Sequence, residues 1–206
     1  MRVKGQSYHE VICGPMFSGK TREMQRLYRI FKVCNFKVQV FRRDIDTRYS
    51  STEIITHDGI TFDKEDVFLA KQAEDISKQL QEDTKVIMID EAMLYNRELV
   101  NKIDEWVNNG RIVVTTVLPT DYRGEVFGIA GELLAKADFI TSLYARCMHN
   151  ENGTFCHEPA TRTMRKVPIK EQVLIGGLES YEPRCRKHHF ILTHVKTNTS
   201  QKQPEQ

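Results

Sequence analysis

No stretch of this chain approaches the roughly 18 consecutive apolar residues of a membrane-spanning helix, which argues against any such span. Neither sign of charge dominates: 30 Lys and Arg stand against 28 Asp and Glu, a formal net charge of +2 over 206 residues. That balance leaves no electrostatic footprint for nucleic acid, whose binders carry a basic face or a strongly basic composition. The first residues, Met1 to Ser7, lack the apolar stretch of a signal peptide. Five cysteines, an odd number, argue against a secreted disulfide scaffold. The expectation is a cytoplasmic protein whose thiols are free or metal-bound, with neither nucleic acid nor membrane as a partner. The chain is 40% hydrophobic and 28% charged, as in globular proteins, and can hold one α/β domain with a small appendage.

Gly14-Pro15-Met16-Phe17-Ser18-Gly19-Lys20-Thr21 is a complete GxxxxGK[ST] phosphate-binding loop. Before it, Glu10-Val11-Ile12-Cys13 reads as the end of a buried strand. After it, Met24, Leu27, Tyr28 and Phe31 mark the apolar stripe of an amphipathic helix. Strand, turn and helix N-terminus together make an anion site. Backbone N–H groups and the helix dipole face the phosphates, Lys20 reaches the β and γ oxygens, and the Thr21 hydroxyl is placed for Mg²⁺. The alternative is an ordinary glycine-bearing βα turn.

Further strands are predicted at Lys37–Phe41, Lys85–Asp90, Arg111–Val117 and Asp138–Leu143, most of them apolar at consecutive positions. Helical patterns lie between, notably Glu98–Val107 and Gly128–Lys136. Alternating elements imply a parallel sheet with helices on both faces and a ligand site at the strands' carboxyl ends. Near Tyr144 the character changes to Cys, His, Gly, Pro and Arg without a long periodic element. The expected division is 1–144 for the nucleotide-binding unit, 145–192 for a small subdomain, and 193–206 for a polar, disordered tail.

An apolar strand running into Asp90-Glu91 is the second signature of phosphate-loop enzymes. Its first carboxylate organises the Mg²⁺ shell and its neighbour can act as general base. Such a pair also commonly just caps the next helix. Positive charge on the transferring group suits Arg48, in Asp46-Thr47-Arg48-Tyr49, with Arg42 and Arg43 as competitors. Cys147, Cys156 and the CxxH pair Cys185 and His188 form a Cys₃His set suited to structural zinc. Because Cys147 and Cys156 are farther apart than a usual knuckle, His149, His157 and His189 stand as substitute ligands. Cys13 and Cys34 read as buried thiols in or beside core elements.

These motifs fall in one order with further blocks: DTRYSS at Asp46, THDG at Thr56, IDEA at Ile89, LPTDYRGEVFG at Leu118, CHEPATRTMR at Cys156 and GGLESYEPRCRKH at Gly176. Together they resemble the type II thymidine kinases, from about Val11 to about His189. The resemblance implies a P-loop, RecA-like α/β fold with a C-terminal zinc-anchored lasso. It implies transfer of the ATP γ-phosphoryl to the 5′-hydroxyl of thymidine or deoxyuridine, with ATP, Mg²⁺ and structural Zn²⁺ as cofactors. Glu91 corresponds to the general base, Arg48 to the phosphate-contacting arginine, and Thr21 and Asp90 to the Mg²⁺-organising pair, with Asp46 on the same polar face. The zinc-anchored stem corresponds to Cys147, Cys156, Cys185 and His188. The nucleoside surface corresponds to Thr163, the backbone of Gln172, Val173, Leu174, Ile175 and Gly176, and Tyr181. Met16, Leu94, Leu118, Tyr122 and Phe127 correspond to residues around the base. The family also implies a homotetramer and feedback binding of dTTP.

The chain departs from the family pattern at Met93 and Leu94, where Gln and an aromatic are usual, and at Pro119. It departs again at Tyr122, usually Phe, and in the longer Met148–Phe155 stretch. Two other readings stay open: a zinc-containing P-loop ATPase acting on nucleic acid, and a nucleotide-binding module without catalysis.

Overall fold

The structure is a computed structural model and describes residues 7–44, 62–168, 171–172 and 177–192. Six strands form its main sheet: β1 (Tyr8–Cys13), β2 (Val38–Arg43), β3 (Val67–Ala70), β4 (Val86–Ile89), β5 (Ile112–Val117) and β6 (Phe139–Ser142). Their order is β3-β2-β4-β5-β1-β6, and every neighbouring pair is parallel. Side chains alternate between the two faces, so β1, β2, β4 and β5 each contribute to two cores. Ile12, Val86, Met88, Ile112 and Val114 pack with Met24, Leu27, Tyr28 and Phe31 of α1 (Lys20–Val33). Val11, Cys13, Ile87, Ile89, Val113 and Val117 pack on the other face. There they meet α2 (Ala73–Gln79), α3 (Glu98–Asn108) and α4 (Ala130–Lys136). Burial on both faces explains the unbroken apolar run in β4; β1 and β5 are also buried at every position, with His9, Glu10, Thr115 and Thr116 as their polar members.

In the main sheet and its helices, two elements were not foreseen, β3 and α2. β3 is a four-residue edge strand with Leu69 exposed. α2 buries only Ala73 and Ile76 and is held at its start by a capping box between Gln72 and Asp75. Neither displays a long enough apolar period to be read from sequence. The opposite edge strand, β6, departs from the expectation of covered faces: Phe139 and Ile140 remain 43% and 53% exposed. Of the two cysteines read as buried thiols, Cys13 is buried but Cys34, at the end of α1, is exposed.

After β6 the chain forms three two-stranded antiparallel pieces. β7 (Ala145–Arg146) pairs with β10 (Pro159–Ala160), β8 (Asn150–Glu151) with β9 (Thr154–Phe155), and β11 (Arg162–Arg165) with β12 (Tyr181–Arg184). The β8–β9 turn uses Asn152 and Gly153 at φ 52° and 87°, the left-handed pair that a tight hairpin favours. Among the described residues the buried apolar cluster here comprises Ala145, Cys147, Ala160 and Cys185, with Met164 and Tyr181 also buried on β11 and β12.

One glycine ties the loop after β5 to the turn after β4. Gly128 has φ 51°, and an added Cβ would fall 2.0 Å from the Met93 carbonyl oxygen. Gly128→Ala should therefore lower unfolding free energy by at least about 2 kcal/mol, read as a fall in the denaturant midpoint. An unchanged midpoint would mean that the two backbones do not meet this closely.

Candidate active site

The loop from Gly14 to Thr21 leaves the carboxyl end of β1 and runs into α1. Gly14 is required by space: an added Cβ would lie 2.6 Å from the Leu143 carbonyl oxygen. Gly19 stands at the helix N-terminus with φ 84°, a left-handed turn that glycine enters without strain. Inside the loop, the Ser18 hydroxyl and the Lys20 ammonium both donate to the Pro15 carbonyl, at 2.8 and 2.7 Å. Desolvation pushes the Lys20 pKa down to about 8, against the opposing pull of Glu91 and Asp90. A triphosphate would supply the missing negative charge at that ammonium. Phe17 projects outward, exposed, at φ 63°.

β4 ends two strands from β1, so Asp90 and Glu91 open on the same carboxyl edge about 10 Å away, two strand spacings. Because Ile89 lies opposite Thr115, the next residue of β5, Thr116, lies opposite Asp90. The Thr116 hydroxyl donates to Asp90 Oδ1 at 2.6 Å and accepts from the Glu91 backbone N–H at 2.9 Å. Asp90 is buried, and its Oδ2 faces Arg42 Nε at 3.8 Å. Both Asp90 oxygens are thus engaged, one by the Thr116 hydroxyl and the other facing Arg42, which fixes the carboxylate at the strand tip.

Glu91 takes the left-handed conformation at φ 52°. Its side chain is open along the cleft, yet enough protein crowds the carboxyl that desolvation raises its pKa. Asp90 raises it further, while Lys20, Arg42 and Arg43 pull it down. Arg43 also donates to the Leu94 carbonyl and so holds the turn Ala92–Leu94. Arg42 and Arg43 therefore stand beside the carboxylates. Asp46 and Arg48 lie outside the described residues.

Of the residues expected around a base, Leu94 and Leu118 pack half-buried against the α2–α4 core, and Phe127 is buried in it. Met93 is buried too, and its Sδ accepts from the Leu118 N–H at 3.5 Å. The Met16 N–H donates to the Thr163 hydroxyl at 3.0 Å, which joins the phosphate loop directly to β11. Tyr122 has the Arg165 guanidinium over its ring, 3.8 Å from the centroid. Tyr181 is buried, and its hydroxyl accepts from Arg165 at 2.8 Å. Gln172 is described, whereas Val173, Leu174, Ile175 and Gly176 are outside the described residues.

Cys147, Cys156, Cys185 and His188 come together with all four ligand atoms within 4.8 Å of one another. His188 Nδ1 lies 3.4 Å from Cys185 Sγ and 3.7 Å from Cys147 Sγ. A tetrahedral zinc ion would hold a nitrogen and a sulfur about 3.6 Å apart, so the donor set fits such an ion. The long spacing between Cys147 and Cys156 is absorbed by the β8–β9 hairpin, whose base is closed by the Cys156 N–H donating to the His149 carbonyl at 2.9 Å. The substitute histidines are engaged elsewhere. His149 stacks on His188 at 4.0 Å and meets Arg184, and His189 bonds the Tyr122 carbonyl. His157 packs against Phe155.

Sequence reading overlooked Thr116, Asp121 and Arg165. Thr116 had a signal, the second of two polar residues near the end of a strand otherwise made of Ile and Val. Asp121 and Arg165 lay inside quoted blocks, but no spacing rule points to their partners.

Comparison with known proteins agrees with this geometry. The family described as thymidine kinase matches residues 8–189. A thymidine kinase from Mycoplasma mobile is 37% identical over 181 residues, which is 88% of this chain and 86% of that protein. Among solved structures, the Legionella pneumophila ATPase DotB aligns with a TM-score of 0.39 at 17% identity, covering 64% of this chain and 34% of that one. With a complete phosphate loop, a strand-tip carboxylate pair and a family match running from β1 to beyond β12, the chain belongs to the thymidine kinase family.

Proposed function

We propose that the chain is a thymidine kinase that moves the γ-phosphoryl of ATP onto the 5′-hydroxyl of thymidine or deoxyuridine. The observation that carries this reading is the hydrogen bond from Met16 in the phosphate loop to Thr163 on β11. It sets the donor loop against the segment assigned to the acceptor, with Asp90 and Glu91 on the same edge.

In this reading the loop from Gly14 to Thr21 holds the triphosphate, with Lys20 on the β and γ oxygens. The acceptor hydroxyl gives its proton to the Glu91 carboxylate as its oxygen bonds the γ-phosphorus. The bond from that phosphorus to the β-phosphate oxygen breaks, releasing ADP and the nucleoside monophosphate. The raised pKa of Glu91 suits a base that must accept a proton near neutrality. Arg48 and Asp46 complete the polar face as phosphate-contacting and supporting groups. Mg²⁺, with Thr21 and Asp90 as its protein anchors, would neutralise charge on the β and γ oxygens.

The division into 1–144, 145–192 and 193–206 belongs to the same proposal. Zinc on Cys147, Cys156, Cys185 and His188 anchors the second unit. Thymidine sits among Met16, Leu94, Leu118, Tyr122, Phe127, Thr163, Tyr181 and the backbone from Gln172 to Gly176. Feedback binding of dTTP, a homotetramer and a cytoplasmic location complete it; exposed Phe139 and Ile140 on edge strand β6 support self-association.

The test is ADP release measured with thymidine, with single-stranded DNA and with neither. Stimulation by thymidine alone is expected. Stimulation by DNA alone would transfer the reading to a nucleic-acid-dependent ATPase, and none by either would leave a binding module.

A further inference from the structure

Asp121 and Arg165 are charged groups only 3% and 2% exposed, and phosphoryl transfer as described gives neither of them a task. Burying a charge is costly unless hydrogen bonds compensate it. Both groups direct such bonds to one residue, Gln172, whose own surface is exposed. The Gln172 side-chain amide donates to Asp121 Oδ2 at 3.1 Å, and its backbone carbonyl accepts from Arg165 Nη2 at 2.9 Å. Arg165 Nη1 donates to the neighbouring Glu171 carbonyl.

Each holder is itself anchored. Asp121 Oδ1 accepts from the backbone N–H of Arg123 at 2.8 Å and of Glu125 at 3.2 Å, which knots the loop after β5 around it. Arg165 lies two residues from Thr163 on β11, so both side chains share one face of that strand. Thr163 meets the phosphate loop, while Arg165 reaches the Tyr181 hydroxyl and covers the Tyr122 ring. One guanidinium therefore touches three residues assigned to the acceptor: Tyr122 beside the base, and Gln172 and Tyr181 of the nucleoside surface. A lysine could not, because its single ammonium lacks the planar fork.

We infer that Arg165 is a positioning residue for the acceptor nucleoside, and that with Asp121 it forms a clasp on Gln172 that shapes the acceptor pocket without entering the donor site. The inference rests on the kinase reading above. The same contacts would also be made by a merely structural pair, whose loss would weaken both substrates alike; the split between them decides.

Wild type, Arg165→Lys and Gln172→Met are compared by steady-state kinetics with thymidine and ATP varied separately. For Arg165→Lys, the thymidine KM should rise at least about tenfold, the scale of one lost hydrogen bond to a charged group, with the ATP KM unchanged. Gln172→Met keeps the carbonyl and loses only the amide, so its thymidine KM should rise less, again with the ATP KM unchanged. If Arg165→Lys does not fold, Gln172→Met decides alone, since its side chain is exposed. An active wild type whose thymidine KM is matched by both variants overturns the clasp and leaves the kinase reading standing. Parallel rises in both KM values overturn it as well. A wild type that does not turn over thymidine overturns the kinase reading and the clasp with it.

Discussion

Glu91→Gln is expected to lower kcat by about 10²-fold or more, the scale of a general base, while ATP affinity stays close to wild type. The amide matches the carboxylate in shape and can still accept a hydrogen bond, but it cannot take a proton. The surroundings leave that change isolated: the Glu91 backbone is held by Thr116 in a left-handed conformation that does not depend on the side-chain charge. A non-glycine residue held this way costs about 1–3 kcal/mol, and such strain concentrates at functional sites. The pH dependence supplies an independent check. Desolvation, then Asp90, raises the Glu91 pKa above the ordinary carboxylate value, and Lys20, Arg42 and Arg43 limit the rise. A base works only when ionised, so kcat/KM should climb with pH through that raised pKa. The acid limb then lies above the usual carboxylate value of about 4.3, and it should disappear in Glu91→Gln. An unchanged kcat would reduce Glu91 to a strand-tip structural group.

Cys185→Ser should abolish zinc binding and unfold the small strands from β7 to β12 while the six-stranded sheet persists. Among the described residues, the buried apolar side chains of those strands are Ala145, Cys147, Ala160, Met164, Tyr181 and Cys185, a small set for holding two-stranded pieces without a further tie. Structural zinc contributes an apparent 10–16 kcal/mol in small folded peptides, roughly the whole stability of a domain. By contrast, β1, β4 and β5 are buried at every position and are independent of that metal. Elemental analysis should find about one zinc per wild-type chain and far less in the variant. Hydrogen exchange should lose protection in β11 and β12 and keep it in β1, β4 and β5. Thymidine binding should weaken with the loss of Thr163 and Tyr181 from their places, and ATP binding should survive. Wild-type protein free of zinc, or a variant that retains it, would overturn this account.

How far the sequence could be read depended on how local each signal was. The phosphate loop is contiguous, and its flanking strand and helix carry clear periods, so β1 and α1 emerged in place. β4, α3, β5, α4 and β6 followed from apolar runs and helical spacing. β3 and α2 did not, because a short edge strand and a two-residue apolar face resemble loop. Cys147 and Cys156 looked too far apart for one knuckle until the intervening residues proved to fold back as a hairpin. The exposed apolar residues of β6 were misjudged for a related reason, since only sheet order shows that β6 is an edge.

The family, the phosphate-binding loop and the alternation of strands and helices were all legible along the chain. Each is written in residues close together along the chain, where sterics and hydrophobic periodicity act directly. Tertiary structure decided what meets what. It set Thr116 against Asp90 through strand register and Met16 against Thr163 across the cleft. It brought Asp121 and Arg165 to opposite ends of Gln172. Those contacts join residues up to 147 positions apart, and no local pattern encodes them, because a buried charge finds its partner only after the core has fixed where both must lie.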